Sequence, residues 1–425
     1  MLFNLKYLDL NKSKNNLIME PIKYKVYSYR WIVLIVYMFI VAINQLLWIT
    51  FAPITTEATN YYHVSDIQIG MLSMCFMLVY LVVSIPASWV IDKYGIRIGI
   101  GIGAVLTGGF GLMRGFAGTD YDILLIAQIG VATGQPFLLN ALTKLAARWF
   151  PIEERATASG LGSLAMYLGI LIGMLVTPFL TKNHGINGMI YIYGIVSIIS
   201  AIIFIVFVRE RPATPPCHTD QEERSGVMDG LRNTLHNRGF YWLLFIFFIG
   251  LGVFNAVATW IEDIVRPRGF TAEQAGLSGG IMIIGGIIGA VIMPLLSDHY
   301  RKRIPFITIA IAGSILGLIG ITFANSYWEL LASSALLGYF LLSAGPIGFQ
   351  YGAEITYPTS ESTSNGLLLL MGQISGIAFI FGLDGFKSHS TGSMTYPLTV
   401  LILLLIISLI VSRFLKESTL IHNSK

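Results

Sequence analysis

Runs of about twenty apolar residues recur along this chain with short polar breaks between them, and that pattern leaves few folds open. A helix needs roughly 20 such residues to cross a bilayer. The runs are continuously apolar and do not alternate, so helices are expected and a membrane β-barrel is excluded. Composition agrees. Only 12% of residues are charged, against about 25% in soluble domains, and mean hydropathy is +0.71. The expected fold is an all-α membrane protein with twelve spans. They lie near residues 31–53, 67–91, 98–117, 123–147, 157–180, 186–208, 239–262, 274–296, 304–324, 327–350, 363–385 and 394–415.

The one long polar break, 209–238, holds Pro212, Pro215 and Pro216 and reads as a linker. It separates a six-helix bundle at 31–208 from a second at 239–415, with polar tails at 1–30 and 416–425. The two halves repeat each other. Asp92 and Asp298 both close a span and are 206 residues apart. Gln68 and Gly70 match Gln274 and Gly276 at 206, Gly160 matches Gly366 at 206, and Pro151 and Glu154 match Pro358 and Glu361 at 207. Parallel repeats of this kind build transporters, with the substrate bound between the halves near the midplane.

Basic residues give the orientation. Of the 27 Lys and Arg, 22 fall on the side of both termini, which places the termini in the cytoplasm of a cell membrane. The first thirty residues lack the apolar core and cleavage site of a secretory signal, and Met19 is an alternative start. Cys75 is in an apolar run and Cys217 in a polar one, so two reduced thiols are expected. None of the seven histidines is mid-span, which argues against an internal haem held by an axial His. No cofactor or metal is expected, nor nucleic-acid binding. The expected partners are the lipid bilayer and a small-molecule substrate, and the expected state is a monomer. A membrane enzyme would need nucleophiles, acids or metal ligands gathered at one depth. A receptor would need large outer loops. The sequence has neither.

The turn Ser88-Trp-Val-Ile-Asp92-Lys93-Tyr-Gly95-Ile-Arg97 ends one apolar run and begins the next, and it returns as Ser297-Asp298-His-Tyr-Arg301. Gly95 permits a tight turn. The carboxylate of Asp92 suits a helix N-terminus, and Ser362-Thr-Ser-Asn365 would provide one at the start of span 11. Asp92, Lys93, Gly95, Arg97, Asp298 and Arg301 are the candidate gating residues. A plain topogenic turn explains the spacing equally well. The turn resembles the signature of the major facilitator superfamily, G-x-x-x-D-[RK]-x-G-[RK]-[RK], with Ser88 at the first Gly and Ile98 at the last basic position.

A narrower resemblance involves Asn44-Gln45-Leu-Leu-Trp48, Gly252-Val-Phe254-Asn255, Ala353-Glu354-Ile-Thr-Tyr357-Pro358, Gly366 and Gln373. These segments are similar to the feline leukaemia virus subgroup C receptor family of choline and ethanolamine carriers, for which haem export has also been proposed. The resemblance implies a quaternary ammonium enclosed by a Trp in span 1, an aromatic in span 7, and glutamines in spans 5 and 11. Trp48 and Gln373 match. Asn255 stands at the span 7 Tyr, beside Phe254, and Tyr167 stands at the span 5 Gln. Tyr167 and Gln373 are 206 residues apart and so face one cavity as symmetry mates.

The residues argue in the same direction on their own. A cation over an aromatic face gains roughly 0.5–2 kcal/mol. Gln45 and Trp48 share a helix face, as do Gln128 and Gln135, where Pro136 could kink the helix. For Gln128, Gln135 and Asn140, hydrogen bonding between helices is the competing explanation. For Trp48 it is an interfacial aromatic. No Asp or Glu is mid-span; Glu262, Asp263 and Asp384 lie at outer ends and Glu354 at an inner one. Facilitated diffusion is therefore preferred to symport. The substrate-binding candidates are Gln45, Trp48, Gln135, Tyr167, Phe254, Asn255 and Gln373. The alternative is an organic-anion, vitamin, haem or drug carrier, or an ion-coupled one. Arg114 and Lys144 are the candidate anion contacts, with snorkelling as the plainer role for Lys144.

Overall fold

The structure is a computed structural model and describes residues 25–214, 216, 237–357, 361–388 and 390–417. The tail before residue 25, most of the expected linker, Cys217 and Pro358 lie outside these residues. Apolar runs long enough to span form helices throughout. We number the membrane helices α1 (Tyr29–Ile49), α2 (Asp66–Tyr94), α3 (Ile96–Arg114), α4 (Tyr121–Leu139), α5 (152–184), α6 (186–207), α7 (Arg238–Thr259), α8 (Ala272–Tyr300), α9 (Ile304–Phe323), α10 (Tyr327–Thr356), α11 (Glu361–Gly385) and α12 (Thr395–Val411).

Helices α5 and α6 run on as one helical stretch, Ile152–Phe207, of 56 residues. At 1.5 Å per residue that is about 84 Å, more than twice a hydrocarbon core. Gly185, at φ 68° and ψ 171°, breaks it into two passes. Two extensions depart from the apolar pattern. After α1 the chain stays helical through Ala52–Ile54 and Thr55–Tyr62. After α4, which contains Pro136, it re-forms a helix at Leu142–Trp149.

Helix starts follow from their caps. Gln68 and Gln274, the repeated glutamines, each close a capping box, with Ser65 and Thr271 respectively. Asp120 accepts from the backbone N–H groups of Asp122 and Ile123, and Asn237 from those of Gly239 and Phe240.

Helix α1 packs on α5, α3 on α4 and α6, α8 on α10, α9 on α10 and α12, and α7 on α11. Thus α1–α6 and α7–α12 form two groups. They meet where α8 crosses α5 and α11 crosses α2. The described residues before α1 and after α12 lie on one face, here the terminal face, and the loops after α1, α3, α5, α7, α9 and α11 lie on the far face. The buried apolar core is continuous between the groups toward the far face, where Trp48, Tyr62, Ile69, Phe76 and Met174 join Trp260, Ile261 and Ala275. Toward the terminal face the first group keeps a core of its own, with Val33, Ile91, Ile96, Leu145 and Trp149. Exposed apolar side chains such as Ile126, Leu316 and Ile410 give the lipid-facing surface that a multi-pass protein needs.

Candidate substrate site and gates

Trp48 is buried near the end of α1, with 5% of its surface exposed. Its indole N–H donates to Ser73 O of α2 at 3.0 Å, and the Ser73 hydroxyl donates back to Trp48 O at 3.3 Å. It is therefore enclosed by protein and is no interfacial aromatic. Gln45, one turn earlier, is also buried, and its Nε2 has no partner. Asn44 uses its amide nitrogen on Thr107 Oγ1 (3.1 Å) and Val131 O (3.3 Å).

Gln128 donates to Leu47 O and Leu72 O at 3.2 and 2.9 Å, tying α4 to α1 and α2. Asn140 donates to Ser84 and Ser88 and accepts from Tyr80 at 2.8 Å. For these two, hydrogen bonding between helices is the role the geometry displays. Gln135 is buried in α4.

Across the junction, Phe254 is buried in α7 and Asn255 half-buried. The Asn255 amide donates to Gly372 O of α11 at 3.2 Å. A Cβ at Gly376 would lie 2.6 Å from Met77 Sδ of α2 and 2.9 Å from Asn255 Nδ2. Asn255, Gly376 and Met77 therefore meet where the two groups touch. Gln373 is half-buried between Gly372 and Gly376 on the same helix. Tyr167 is half-buried in α5 against the shared core, two residues before Gly169, which lies against Ala42 O of α1.

On the terminal face the repeated turns pair within each group. Asp92 is exposed and accepts from Lys144 Nζ at 2.9 Å; Lys144 also donates to Ile91 O. Lys93 lies over the Trp89 ring, 4.7 Å from its centroid. Gly95 has φ 92°, a conformation that side-chain-bearing residues rarely adopt, so the backbone calls for glycine; it lies against the Glu210 carboxylate. The start of span 11 was the expected partner of Asp92, but Asp92 pairs with Lys144, and the N-terminus of α3 beside this turn holds the carboxylate of Glu210. Glu210 accepts from Ile96 N (3.2 Å) and Arg97 N (2.7 Å) and pairs with Arg148.

Its mate is Glu417, 207 residues on, which accepts from Arg303 N and Ile304 N at the start of α9. Arg301 occupies the position 206 residues after Gly95 and is also at positive φ, 52°. Asp298 instead pairs with Arg303, which donates as well to Ser297 Oγ and to Glu354 Oε1 at 3.0 Å. Burial opposes the charge on Arg303, but the Asp298 and Glu354 carboxylates outweigh it and hold its pKa above the usual arginine value. A cavity of about 350 Å³ lies here, lined by Pro294, Asp298, Arg303, Pro346, Ile347 and Gln350, all of the second group.

The far face holds the polar contacts that join the groups. Thr56 donates its N–H (3.1 Å) and hydroxyl (2.6 Å) to Glu262, and Arg266 donates to Thr56 Oγ1. Asp66 accepts from Lys387 Nζ at 2.5 Å and from Arg266 at 3.4 Å. Lys387 also reaches Asp263 Oδ1 at 3.2 Å, and Arg266 reaches the same oxygen at 2.7 Å. Lys182 pairs with Glu273 at 2.6 Å. Burial would lower the pKa values of Lys387 and Arg266, but the surrounding carboxylates hold both above their ordinary ranges.

One pair of the repeated glycines, Gly70 and Gly276, belongs to this seal. A Cβ on Gly70 would meet the buried Trp260 ring of the other group at 2.7 Å, and one on Gly276 would meet Met174 O at 2.4 Å. Trp260 donates its indole N–H to Ile380 O at 3.1 Å. Sequence reasoning missed Trp260, Glu210, Glu417 and the far-face charges. Only the 207-residue spacing of the two glutamates could have revealed any of them.

The sequence profile of the Major Facilitator Superfamily matches residues 33–380. The chain belongs to that superfamily. Members of the superfamily are membrane transporters and not enzymes. An uncharacterised MFS-type transporter of Caenorhabditis elegans is 30% identical over 420 residues, covering 94% of this chain and 71% of its own. Solute carrier family 49 member A3 of Xenopus tropicalis is 30% identical over 380 residues, covering 85% and 78%. The choline/ethanolamine transporter FLVCR2 of Homo sapiens is 27% identical over 376 residues, covering 84% and 71%. The chain thus resembles the receptor-related carriers on which the narrower sequence resemblance rested. Among solved structures, a bacterial homologue of the human lysosomal transporter Spinster superposes with TM-score 0.73 at 17% identity, covering 93% of this chain and 99% of the other.

Proposed function

We propose that this superfamily transporter moves a small choline- or ethanolamine-like organic cation across the cell membrane by facilitated diffusion, as a monomer, with both termini cytoplasmic. The observation that carries the reading is Asn255, bonded to Gly372 beside Gln373 where α11 meets Met77 of α2, with buried and half-buried aromatic and amide side chains on α1, α4, α5 and α7. Trp48 supplies a π face. Tyr167 and Phe254 supply further aromatic surface, and Asn255 and Gln373 supply polar contacts. Gln45 Nε2, buried without a partner on the helix face of Trp48, is a donor free for a substrate hydroxyl. Gln135 completes the polar lining from α4. The similarity to choline/ethanolamine transporters supports the same substrate class. The excess of Lys and Arg on the terminal face supports the orientation.

In this state the far face is closed, so the substrate would exchange with the cytoplasm. Reversing the rock between the groups would open the Gly70–Trp260 and Gly276–Met174 contacts. Asp92, with Lys93, Gly95 and Arg97, and Asp298, with Arg301, would then act as latches on the cytoplasmic face.

A second reading, an organic anion, rests on Arg114. This guanidinium is 1% exposed, donates to Leu47 O at 3.3 Å beside Trp48, and leaves Nε and Nη2 unpaired. Thermal stabilisation of the purified protein separates the readings, because a ligand of the folded state raises the melting temperature. Choline or ethanolamine should stabilise the wild type. Trp48→Ala should weaken that binding by about 3–30-fold, and Trp48→Phe by less, because a π face remains. Stabilisation by carboxylates alone, lost in Arg114→Gln, would replace the cation with an anion. Unchanged choline binding in Trp48→Ala would remove Trp48 from the site.

A further inference from the structure

We propose that Asp263 is a proton-binding site that regulates the far-face gate from outside: its carboxylate takes a proton from external water as the gate closes and returns it as the gate opens. That the proton comes from outside the cell rests on the orientation proposed above. The site itself depends on neither substrate nor direction.

Asp263 follows α7 in the short helix Ile261–Val265 and is fully buried, at 0% exposure. Its Oδ1 accepts from Lys387 and is ion-paired with Arg266, but its Oδ2 has no partner. A buried carboxylate oxygen without a donor is costly when charged and far less so when protonated.

The surroundings carry surplus negative charge. Glu262 and Arg266 face it from its own segment, Asp66 from the start of α2, and Lys387 from the segment after α11. That makes three carboxylates against two cations. Glu57 lies within electrostatic reach of Glu262, and Asp384 of Lys387 and Asp66. One added proton on Asp263 balances the cluster while leaving the Arg266 and Lys387 contacts to Asp66 in place. Burial, supported by Glu262 and Asp66 and opposed by Lys387 and Arg266, pushes the Asp263 carboxyl up to about 7.

Opening would hydrate Asp263 and return it to about 4. The closed form then binds the proton more tightly. Acid stabilises closure, an effect complete below about pH 4 and lost as pH rises through about 7. The packing that buries Asp263 also separates it from the terminal face, so the proton enters and leaves on one side. The site tunes the gate and does not move protons across the membrane.

The test places spin labels on Asn60→Cys and Thr391→Cys, both exposed and on opposite groups at the far face, in a Cys217→Ser background. Distance distributions are then recorded in detergent without substrate. From about pH 7.5 to about pH 5.5 the ratio of closed to open populations should rise on the order of tenfold. The rise should vanish in Asp263→Asn and persist in Asp263→Glu and Glu57→Gln. No pH response in the wild type, an equal response in Asp263→Asn, or one lost only in Glu57→Gln overturns the proposal. Should Asp263→Asn fail to fold, infrared spectra decide. A protonated-carboxyl band must appear in the wild type between the same pH values and shift in Asp263→Glu, and its absence overturns the site.

Discussion

The glycine pairs Gly70/Gly276 and Gly160/Gly366 repeat at one interval, yet they do two different jobs. Gly70 and Gly276 are where the groups approach each other, whereas a Cβ on Gly160 or Gly366 would meet nothing within 4 Å. Alanine at Gly276 must displace the Met174 carbonyl, which is backbone and cannot swing away. Overpacking of this kind costs about 1–3 kcal/mol. That cost falls on the closed far face alone, so Gly276→Ala should favour the far-face-open state by about tenfold or more. Gly70→Ala should act in the same direction through the Trp260 ring. Gly160→Ala and Gly366→Ala remove a helix-interior glycine without a clash and should hold or raise stability by up to about 1 kcal/mol. Labelling of Met77→Cys by an impermeant thiol reagent, together with melting temperatures, checks both halves of this contrast. Equal effects at all four positions would mean that the interval reflects ancestry alone and not close packing.

At the level of elements, the two turns between α2 and α3 and between α8 and α9 are each completed by a glutamate from a distant part of the chain. Glu210 and Glu417 accept backbone N–H groups at the starts of α3 and α9. An acid at a helix N-terminus is worth about 0.3–1 kcal/mol, more when partly buried. Glu210→Ala and Glu417→Ala should each lower thermal stability by about 1 kcal/mol and leave the substrate profile unchanged. Their effects should add, because the residues share no partner. The helices themselves were legible, since an uninterrupted apolar run admits little else, and most ends were found within about five residues; α4, however, stops at Leu139 where 147 was expected, and α10 runs on to Thr356 where 350 was expected. The continuation of α1 through Thr55–Tyr62 was not, because a polar segment carries no membrane signal. Nor were the capping glutamates, which lie in segments that read as linker and tail. Of the candidate site, the placement of Trp48, Asn255 and Gln373 on α1, α7 and α11 was readable. The hydrogen bonds that commit Gln128 and Asn140 to neighbouring helices were not, because an amide in a span looks the same whether it faces a cavity or a carbonyl.

For the whole molecule the twofold repeat was visible in the sequence, but the asymmetry of this conformation was not. The charges that close the far face stand at the ends of spans, where charged residues are ordinary, and Lys387 reaches Asp66 across 321 residues of chain. Their energetic weights differ sharply. Lys182 and Glu273 are 68% and 51% exposed, and such surface pairs contribute about 0–1 kcal/mol. Lys387 is 13% exposed and is held between Asp66 and a fully buried Asp263. Among the described residues, Asp66 is the one carboxylate of the first group that pairs with Arg266 and Lys387. When the groups separate, Glu262 and Asp263 remain with Arg266 and Lys387 and balance them. Asp66→Asn therefore removes charge attraction from the closed state while leaving the second group paired within itself in the open one. It should shift the equilibrium toward the far-face-open state by about 1–3 kcal/mol, whereas Lys182→Gln should shift it by less than about 1. Distance distributions between labels at positions 60 and 391 at neutral pH measure both shifts. If Lys182→Gln opened the far face as readily as Asp66→Asn, the seal would depend on net charge across the whole surface, and the buried cluster would lose its place as the latch.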